Sequence, residues 1–247
     1  MPEVSLRSPG DRRSMNAWCT LRLRVGALAV AVALVAAAVT AGEAGASAAG
    51  TSSVPGAQEV SSLLRGIPQR AVWLGRHGAP LTLVEYVDVQ CLYCARFSRE
   101  TLPTIVRRYV RSGRVRILFR GMAFLGPDST SLLRWTLGAG RQDKLWNVLE
   151  LLFINQGAEN SGWATQARLA AVARSVPGLA VAQLRRDSKA RWVAAEIRAA
   201  AAAARKAQVP GTPYFEVGRS LTALQPLQLK TFDPADLSAQ LDRLLTR

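Results

Sequence analysis

Cysteine and histidine are scarce in this sequence, which contains three cysteines and one histidine among 247 residues. Cys19 lies near the N-terminus, so Cys91 and Cys94 are the only cysteines in the rest of the chain. A single pair excludes the multi-disulfide framework that stabilises many small secreted domains. A zinc site would need further ligands, and His77 is the only histidine available, so the sequence argues against a metal site. The pair can, however, form one reversible disulfide.

Acidic side chains are also in the minority, with 17 against 32 lysines and arginines, and the net charge is +15. A basic surface can attract nucleic acid, anionic lipid or acidic proteins. Here the arginines are scattered, and no basic motif with interleaved aromatic residues occurs. We therefore predict a solvated basic surface and no nucleic-acid partner. With 49% hydrophobic and 20% charged residues, most of the chain should be globular.

The N-terminal segment has the composition of a targeting sequence. Two arginines precede an uncharged Ala/Val-rich run over 25–42, and small residues follow at 44–46. This is the order of a secretory signal peptide, although the run is also close to the length of about 18–20 residues that spans a membrane. Residues 1–46 are therefore interpreted as a signal peptide or a membrane anchor, with either Met1 or Met15 as the start. Both interpretations place the rest of the chain outside the cytoplasm, in the cell envelope or secreted.

The pattern beyond this segment predicts one α/β domain over 71–247, preceded by a linker over 47–70. The linker begins rich in Ala, Gly and Ser, and its second half has the pattern of a short amphipathic helix. Only helical patterns occur between about 127 and 207. Strands are predicted at 81–89, 115–119, 214–217 and 221–224, and further helices at 91–111, with a kink at Pro103, and at 236–245. This order predicts a sheet flanked by helices, with an all-helical insertion at about 127–207.

The motif Cys91-Leu92-Tyr93-Cys94 directly follows the first of these strands and opens a helix. Unpaired N–H groups and the positive end of the helix dipole favour a negative sulfur there, and the pKa of such thiols falls from about 8.5 to roughly 3.5–7.5. Cys91 is predicted to be the exposed nucleophile, and Cys94, one turn later, the buried thiol that attacks the mixed disulfide. An inert structural disulfide is the alternative, but closing so short a loop stabilises a fold little.

Together with these cysteines, the segments 79–94 and 118–129 and the dipeptide Thr212-Pro213 before a strand resemble the DsbA-like branch of the thioredoxin superfamily. The resemblance covers about residues 72–245. It implies a thioredoxin-like fold with a mixed central sheet, protein disulfide oxidoreductase activity and no cofactor. It also implies that Pro213 is cis beside the cysteines and that Thr212 binds the client backbone.

Members of this branch often carry a buried acid on the strand before the cysteines, which is proposed to relay protons to the buried cysteine. Strand alternation puts Glu85 and Val87 on one face and Tyr86 and Asp88 on the other. A charged acid in a central strand is costly unless it is paired or neutral. Glu85 is the first candidate for the relay and Asp88 the second. Either residue has a simpler interpretation as a hydrogen-bonded strand residue.

The dipeptide between the cysteines departs from the pattern of the strong oxidases of this branch, which commonly have Pro followed by His or Tyr. Leu92 and Tyr93 are predicted to contact the client. Because no histidine donates to the Cys91 sulfur, we expect a smaller fall in the pKa of Cys91, and the direction of electron flow stays open.

The sequence thus predicts an extracytoplasmic, monomeric thiol oxidase that acts on cysteine pairs of exported proteins and is reoxidised by a membrane partner. One alternative is a reductase or isomerase of the same fold, kept reduced by a membrane donor. The other is a non-catalytic, envelope-anchored binding module that holds its partner with Trp135, Trp146 and Trp163 of the insertion.

Overall fold

The computed structural model describes residues 53–246, and the predicted signal peptide or anchor at 1–46 lies outside them. The order of elements follows the predicted pattern of sheet, helical block, sheet and final helix. The strands are β1 (Gln69–Arg70), β2 (Trp73–Leu74), β3 (Leu81–Asp88), β4 (Val115–Met122), β5 (Tyr214–Gly218) and β6 (Gln225–Leu227). The helices are α1 (Ala57–Leu64), α2 (Leu92–Glu100), α3 (Leu102–Ile105), α4 (Pro127–Gly140), α5 (Leu145–Ile154), α6 (Gln166–Arg174), α7 (Val181–Asp187), α8 (Arg191–Lys206) and α9 (Pro234–Leu245).

The strands form one mixed sheet in the order β1-β2-β4-β3-β5-β6, which confirms the predicted fold class. β3 and β4 are parallel, and every other pair is antiparallel. All eight residues of β3 are buried, because helices cover both faces of the sheet at its centre. The strand that leads to the cysteines is therefore the most enclosed strand of the fold.

The helix that follows the cysteines is interrupted near Pro103, as predicted. α2 ends at Glu100, and α3 begins at Leu102 with Pro103 in its first turn. Proline lacks the N–H that a helix interior needs, but the first turn has no use for that donor. The chain then continues through a π-helical turn at Val106–Val110. The interruption separates a short helix that carries the cysteines from the segment that returns to β4.

The predicted helical insertion is confirmed by α4 to α8. The three tryptophans that the binding-module alternative places on its surface are buried, with 2% of Trp135, 0% of Trp146 and 6% of Trp163 exposed. They belong to the hydrophobic core. The insertion therefore does not offer these side chains to a partner.

The second half of the predicted linker over 47–70 contains the short helix that its amphipathic pattern predicted, and this helix packs into the core of the domain. Residues 57–64 form α1, whose Val60 and Leu64 are 4% exposed and belong to the core. Arg111 donates hydrogen bonds to the carbonyls of Leu63 and Arg65 at the end of this helix. The amphipathic pattern outweighs the flexible composition of the residues before it, because burial of one apolar face stabilises a short helix.

The last strand differs from the prediction, which placed it at 221–224. The pairing strand is Gln225–Leu227, with Pro226 opposite Glu216 of β5. Proline cannot donate a ladder hydrogen bond, but an edge strand has one side without a partner strand. The proline therefore fits the edge of the sheet, although it obscures the strand in the sequence.

No helix within residues 53–246 is long and apolar enough to cross a membrane.

Candidate active site

Cys91 is the N-cap residue of α2, three positions after the end of the buried strand β3. Its backbone is extended, and its sulfur accepts a hydrogen bond from the backbone N–H of Cys94 at 3.4 Å. The sulfur thus takes the position of a capping oxygen and satisfies a free donor of the first turn. The predicted location at a helix N-terminus is confirmed.

The two cysteines are free thiols, and both are more enclosed than the motif suggested. Cys91 is 7% exposed and Cys94 is fully buried. The prediction of an exposed Cys91 is therefore wrong, because only a small part of this residue is accessible to solvent. The two residues between them are strongly exposed, Leu92 at 61% and Tyr93 at 64%. Access to Cys91 is narrow because the 212–213 loop lies against its sulfur. The reactive atom is reached through a rim of exposed apolar side chains.

The Thr212–Pro213 peptide bond is cis, as the resemblance implies. The Cys91 thiol donates a hydrogen bond to the Thr212 carbonyl, with 3.2 Å between Sγ and the oxygen. Pro213 immediately precedes β5, which pairs with β3 in an antiparallel register that sets Tyr214 opposite Tyr86. Neighbouring strands therefore carry the cysteine turn and the proline loop to the same end of the sheet.

The Cys91 thiol is acidified by its surroundings. Its pKa is lowered from 9.0 to about 6, and the largest contribution comes from a hydrogen bond with the Cys94 thiol. The backbone N–H groups of Cys94 and Tyr93 act in the same direction, whereas burial opposes them. Although the motif lacks histidine, the pKa lies within the range of roughly 3.5–7.5 seen for activated thiols.

The pKa of Cys94 is shifted in the opposite direction. Burial raises its pKa well above the ordinary value, and the hydrogen bond to Cys91 and the charge of Cys91 raise it further. Glu85 also raises it through charge repulsion. One sulfur of the pair is therefore ionised at neutral pH, and the other holds its proton.

The two candidate acids of β3 have different surroundings. Glu85 is 2% exposed, and one of its carboxyl oxygens is buried without a hydrogen-bond partner among the described residues. Burial raises its pKa well above the usual value, and the charge of Glu150 raises it further. The charge of Glu85 acts on Cys94, as a relay residue would require.

Asp88, the second candidate, is fully occupied as a hydrogen-bond acceptor. It accepts from the backbone N–H of Gln90, Phe124 and Leu125 and from the Ser129 hydroxyl, at 2.7–3.2 Å. These bonds hold the loop before α4 against the end of β3. The structure therefore gives Asp88 a structural position and does not support it as the relay.

Several residues of the site were not predicted. Gln156 donates from its amide to the carbonyls of Val89 and Cys91, at 2.9 Å and 3.4 Å. Phe232 stacks on Tyr93, with 6.4 Å between the ring centres. Glu150 accepts a hydrogen bond from Ser98, one turn beyond Cys94 on α2. Only Glu150 leaves a signal in the sequence, as the one charged residue in the helix Leu145–Ile154, in which every other residue except Asn147 is apolar.

An open groove of about 360 Å³ lies beside the cysteines. Tyr93 and Thr212, both predicted to contact the client, line it, and Leu92 is exposed nearby. Its other walls include Pro213, Phe215, Leu229 and Phe232.

Among residues 53–246, no three side chains of the histidine, cysteine, aspartate and glutamate types come together as a metal site. The arrangement suits thiol exchange with an extended polypeptide.

A thioredoxin-type sheet that presents an acidified and a buried thiol beside a cis-proline loop defines a thiol–disulfide oxidoreductase. Residues 69–233 match the family model described as Thioredoxin, and the chain belongs to this family, in its DsbA-like branch.

Known relatives agree with this assignment. A probable disulfide bond formation protein D of Bacillus anthracis is 26% identical over 157 residues, which is 60% of this chain and 70% of that protein. The oxidised BdbD structure from Bacillus subtilis superposes with a TM-score of 0.62 at 22% identity, over 73% of this chain and 98% of that one. A thioredoxin-like oxidoreductase from Silicibacter pomeroyi DSS-3 gives 0.56 at 30% identity, over 76% and 98%. The chain is a disulfide oxidoreductase.

Proposed function

We propose that this enzyme works outside the cytoplasm and oxidises cysteine pairs of exported proteins through the Cys91–Cys94 pair. The observation that carries the proposal is the contrast between the two sulfurs. Cys91 is an acidic thiol with a pKa of about 6 at a helix N-terminus, and Cys94 is a buried thiol whose pKa is raised. The mixed disulfide between Cys91 and a client breaks readily at Cys91, because the acidic thiolate is a good leaving group.

The reaction begins with the Cys91–Cys94 disulfide. A client thiolate attacks Cys91 Sγ, the enzyme disulfide breaks, and the electron pair stays on Cys94. A second client thiolate then attacks the client sulfur of the mixed disulfide and releases the Cys91 thiolate. The client leaves with a disulfide, and the enzyme holds two reduced cysteines.

In this scheme, Glu85 supplies the proton that Cys94 needs when it leaves. A Cys94 thiolate is unfavourable in its buried site, since its pKa is raised well above the ordinary value. The charge of Glu85 acts on Cys94, and burial raises the pKa of Glu85, which favours its protonated form. A neutral carboxylic acid beside a forming anion is the arrangement that general acid catalysis requires.

Client binding involves the groove and its rim. Pro213 has no N–H group, so the Thr212 loop is available to the client backbone rather than to its own strand. Tyr93 lines the groove beside it, and the exposed Leu92 extends the apolar rim. Such surfaces favour unfolded segments over folded ones, because folded proteins bury their apolar side chains.

The direction of electron flow is proposed from the location and the thiol acidity. The signal-like segment at 1–46 and the relatives named for disulfide bond formation both favour an oxidising compartment. A Cys91 pKa of about 6 lies between the values of about 7 for thioredoxin and about 3.5 for DsbA. We therefore expect a reduction potential between about −270 mV and about −120 mV. A membrane redox partner would reoxidise the monomeric enzyme.

The test uses purified full-length protein and a reduced, unfolded client. Oxidised wild type should form client disulfides, and Cys91→Ser and Cys94→Ser should not, because neither variant can form the Cys91–Cys94 disulfide. Cys19→Ser is the matched control and should behave as wild type, because Cys19 takes no part in the proposed reaction. Client oxidation by Cys91→Ser at the wild-type rate would refute the mechanism. A potential at or below about −270 mV would favour the reductase alternative.

A further inference from the structure

A second buried carboxyl group lies behind the active cysteines. Glu150 projects from α5, a helix of the insertion, and is 3% exposed. Its Oε2 accepts a hydrogen bond from the hydroxyl of Ser98, which is itself 3% exposed. Its Oε1 is buried without a partner among the described residues, as is Oε2 of Glu85. Buried polar atoms normally have hydrogen-bond partners, so two unpartnered carboxyl oxygens in one region need an explanation.

The helix α2 links Glu150 to the reacting sulfur. Ser98 lies four residues after Cys94, so both side chains are on the same face of the helix. On the other side, Glu85 of β3 raises the pKa of Cys94 through its charge. Glu150 in turn raises the pKa of Glu85 through charge repulsion, and its hydrogen bond to Ser98 places it against the helix that carries Cys94.

We propose that Glu150 is a positioning residue for thiol exchange at Cys94, forming with Glu85 a buried carboxyl pair that is anchored by Ser98 and holds at most one negative charge. This inference rests on the proposed function and adds a residue to it. Like charges at short distance in a protein interior repel strongly, so the two groups titrate as a unit. Ionisation of either residue makes it harder for the other to lose its proton.

The proton balance follows from this arrangement. When a thiolate breaks the Cys91–Cys94 bond, the electron pair stays on Cys94, and a proton moves to that sulfur from Glu85. The carboxyl pair then holds one proton and one negative charge until a proton from solvent restores it. If Glu150 is already ionised, its negative charge opposes the charge that develops on Cys94 and keeps the Glu85 proton in place. Exchange should therefore slow as Glu150 ionises.

The surroundings of Glu150 leave few other groups that could produce this effect. Its pKa is raised to about 8 by burial, against the lowering effect of the Ser98 hydrogen bond. Asp88, the other acid of β3, accepts hydrogen bonds elsewhere, as described above. The other charged residues on the helices that contact α5 are exposed (Glu59, Arg96, Arg99, Glu100, Arg168 and Arg174) or half-buried (Asp128 and Arg134).

The experiment measures reduction of the oxidised full-length protein by glutathione in a single turnover from pH 6 to pH 10. Each rate is divided by the concentration of glutathione thiolate, so that ionisation of the attacking thiol does not enter. For wild type, we expect this corrected rate to fall roughly three- to tenfold across a step near pH 8, as a like charge in a protein interior would produce.

Three variants test the assignment of that step. Glu150→Gln keeps the shape and an acceptor for Ser98 but cannot ionise, so the step should disappear. Ser98→Ala removes a hydrogen bond that lowers the pKa of Glu150, so the step should move to higher pH. Glu159→Gln, an exposed acid in the loop after α5, is the control and should keep the wild-type profile.

The outcomes separate this inference from the proposed function. If wild type does not exchange with glutathione, the proposed function fails. If wild type exchanges but Glu150→Gln shows the same step as wild type, the carboxyl pair is wrong and the function stands. If Glu150→Gln does not fold, Ser98→Ala decides, and an unshifted step in that variant overturns the inference.

Discussion

Individual side chains at this site differ in acidity because of small differences in their contacts. Cys91 and Cys94 are three residues apart, yet the pKa of one is lowered and that of the other is raised. The first sulfur receives hydrogen bonds from Cys94 and from the start of a helix. The second is fully buried beside a carboxyl group. The motif fixes which atoms are present, and the surrounding strands and helices determine which atom reacts.

The raised pKa of Glu150 also makes the stability of the folded protein depend on pH. The folded pKa of Glu150, about 8, is above that of a carboxyl group in an unfolded chain, about 4.3. Between these values the unfolded chain releases a proton that the folded protein keeps, so Glu150 costs stability progressively as the pH rises from about 5 to 8. At pH 7, about 2.7 pH units above the unfolded value, this amounts to roughly 4 kcal/mol, at 1.36 kcal/mol per pH unit.

Glu150→Gln should therefore become more stable relative to wild type as the pH rises. Urea unfolding at pH 5 and pH 8 measures the difference. An unpartnered amide in the variant would subtract a constant of roughly 1–3 kcal/mol, which leaves the pH dependence unchanged. Parallel stability profiles for the two proteins would contradict the raised pKa.

The sequence identifies the residues whose chemistry is visible in one segment. Cys91 and Cys94 stand in a short motif, and alternation along one strand separates Glu85 from Asp88. Glu150 is about 65 residues from Glu85 along the chain, and only the packing of the insertion on α2 brings them together. A lone acid in an apolar helix indicates a buried group, but the sequence does not say which residue it meets.

At the scale of elements, the contact between α2 and β5 joins the two halves of the site. Phe97 of α2 is fully buried and packs on Phe215 of β5, with 4.6 Å between the ring centres. α2 begins at the cysteines, and β5 begins directly after Pro213. This aromatic contact therefore helps to hold the Cys91 sulfur against the Thr212 loop.

Phe97→Ala should lower the free energy of unfolding by about 3–5 kcal/mol, the usual cost of deleting a buried phenylalanine. Because α2 loses its contact with β5, we also expect the pKa of Cys91 to rise. Phe124→Ala is the matched control for stability, since Phe124 is 53% exposed, and should change it by less than about 0.5 kcal/mol. A strong loss of stability without any change in Cys91 acidity would show that the contact does not position the thiol.

Elements with long, regular patterns were predictable, and short ones were not. β3 and β4 are runs of apolar residues, and the helices of the insertion have clear helical spacing. β1 and β2 have two residues each, too few for any periodicity, and they exist because they pair beside β4. β6 contains a proline and pairs at the sheet edge. These three strands depend on tertiary pairing rather than on local sequence.

At the scale of the whole molecule, the acidity of Cys91 links redox state to stability. The reduced folded protein gains from a thiolate that the unfolded chain does not hold at neutral pH. A lowered pKa contributes stability that is complete above the unfolded value, about 8.5, and is lost as the pH falls through about 6. At pH 7 the gain is roughly 1.4 kcal/mol, one pH unit above the folded pKa.

The reduced protein should therefore gain stability relative to the oxidised protein as the pH rises from 5.5 to 8. The gain at pH 7 corresponds to a melting temperature higher by roughly 3–6 °C for a chain of this length. The disulfide of the oxidised form closes a loop of four residues, and its chain entropy stabilises that form by about 2 kcal/mol at every pH. Calorimetry on both forms should therefore show the oxidised form as the more stable one at pH 5.5 and the reduced form as the more stable one at pH 8. An oxidised form that is the more stable one at pH 8 would contradict this account.

The most direct test of the central claim is the ionisation curve of Cys91 in the reduced protein, followed by its rate of alkylation between pH 4 and pH 10. Wild type should modify a single sulfur of the pair, with a midpoint near pH 6, and Cys94→Ala should shift that midpoint upward because the strongest hydrogen bond to the thiolate is lost. A wild-type midpoint at the ordinary value of about 8.5 would contradict the claim that this fold holds Cys91 as a thiolate at neutral pH.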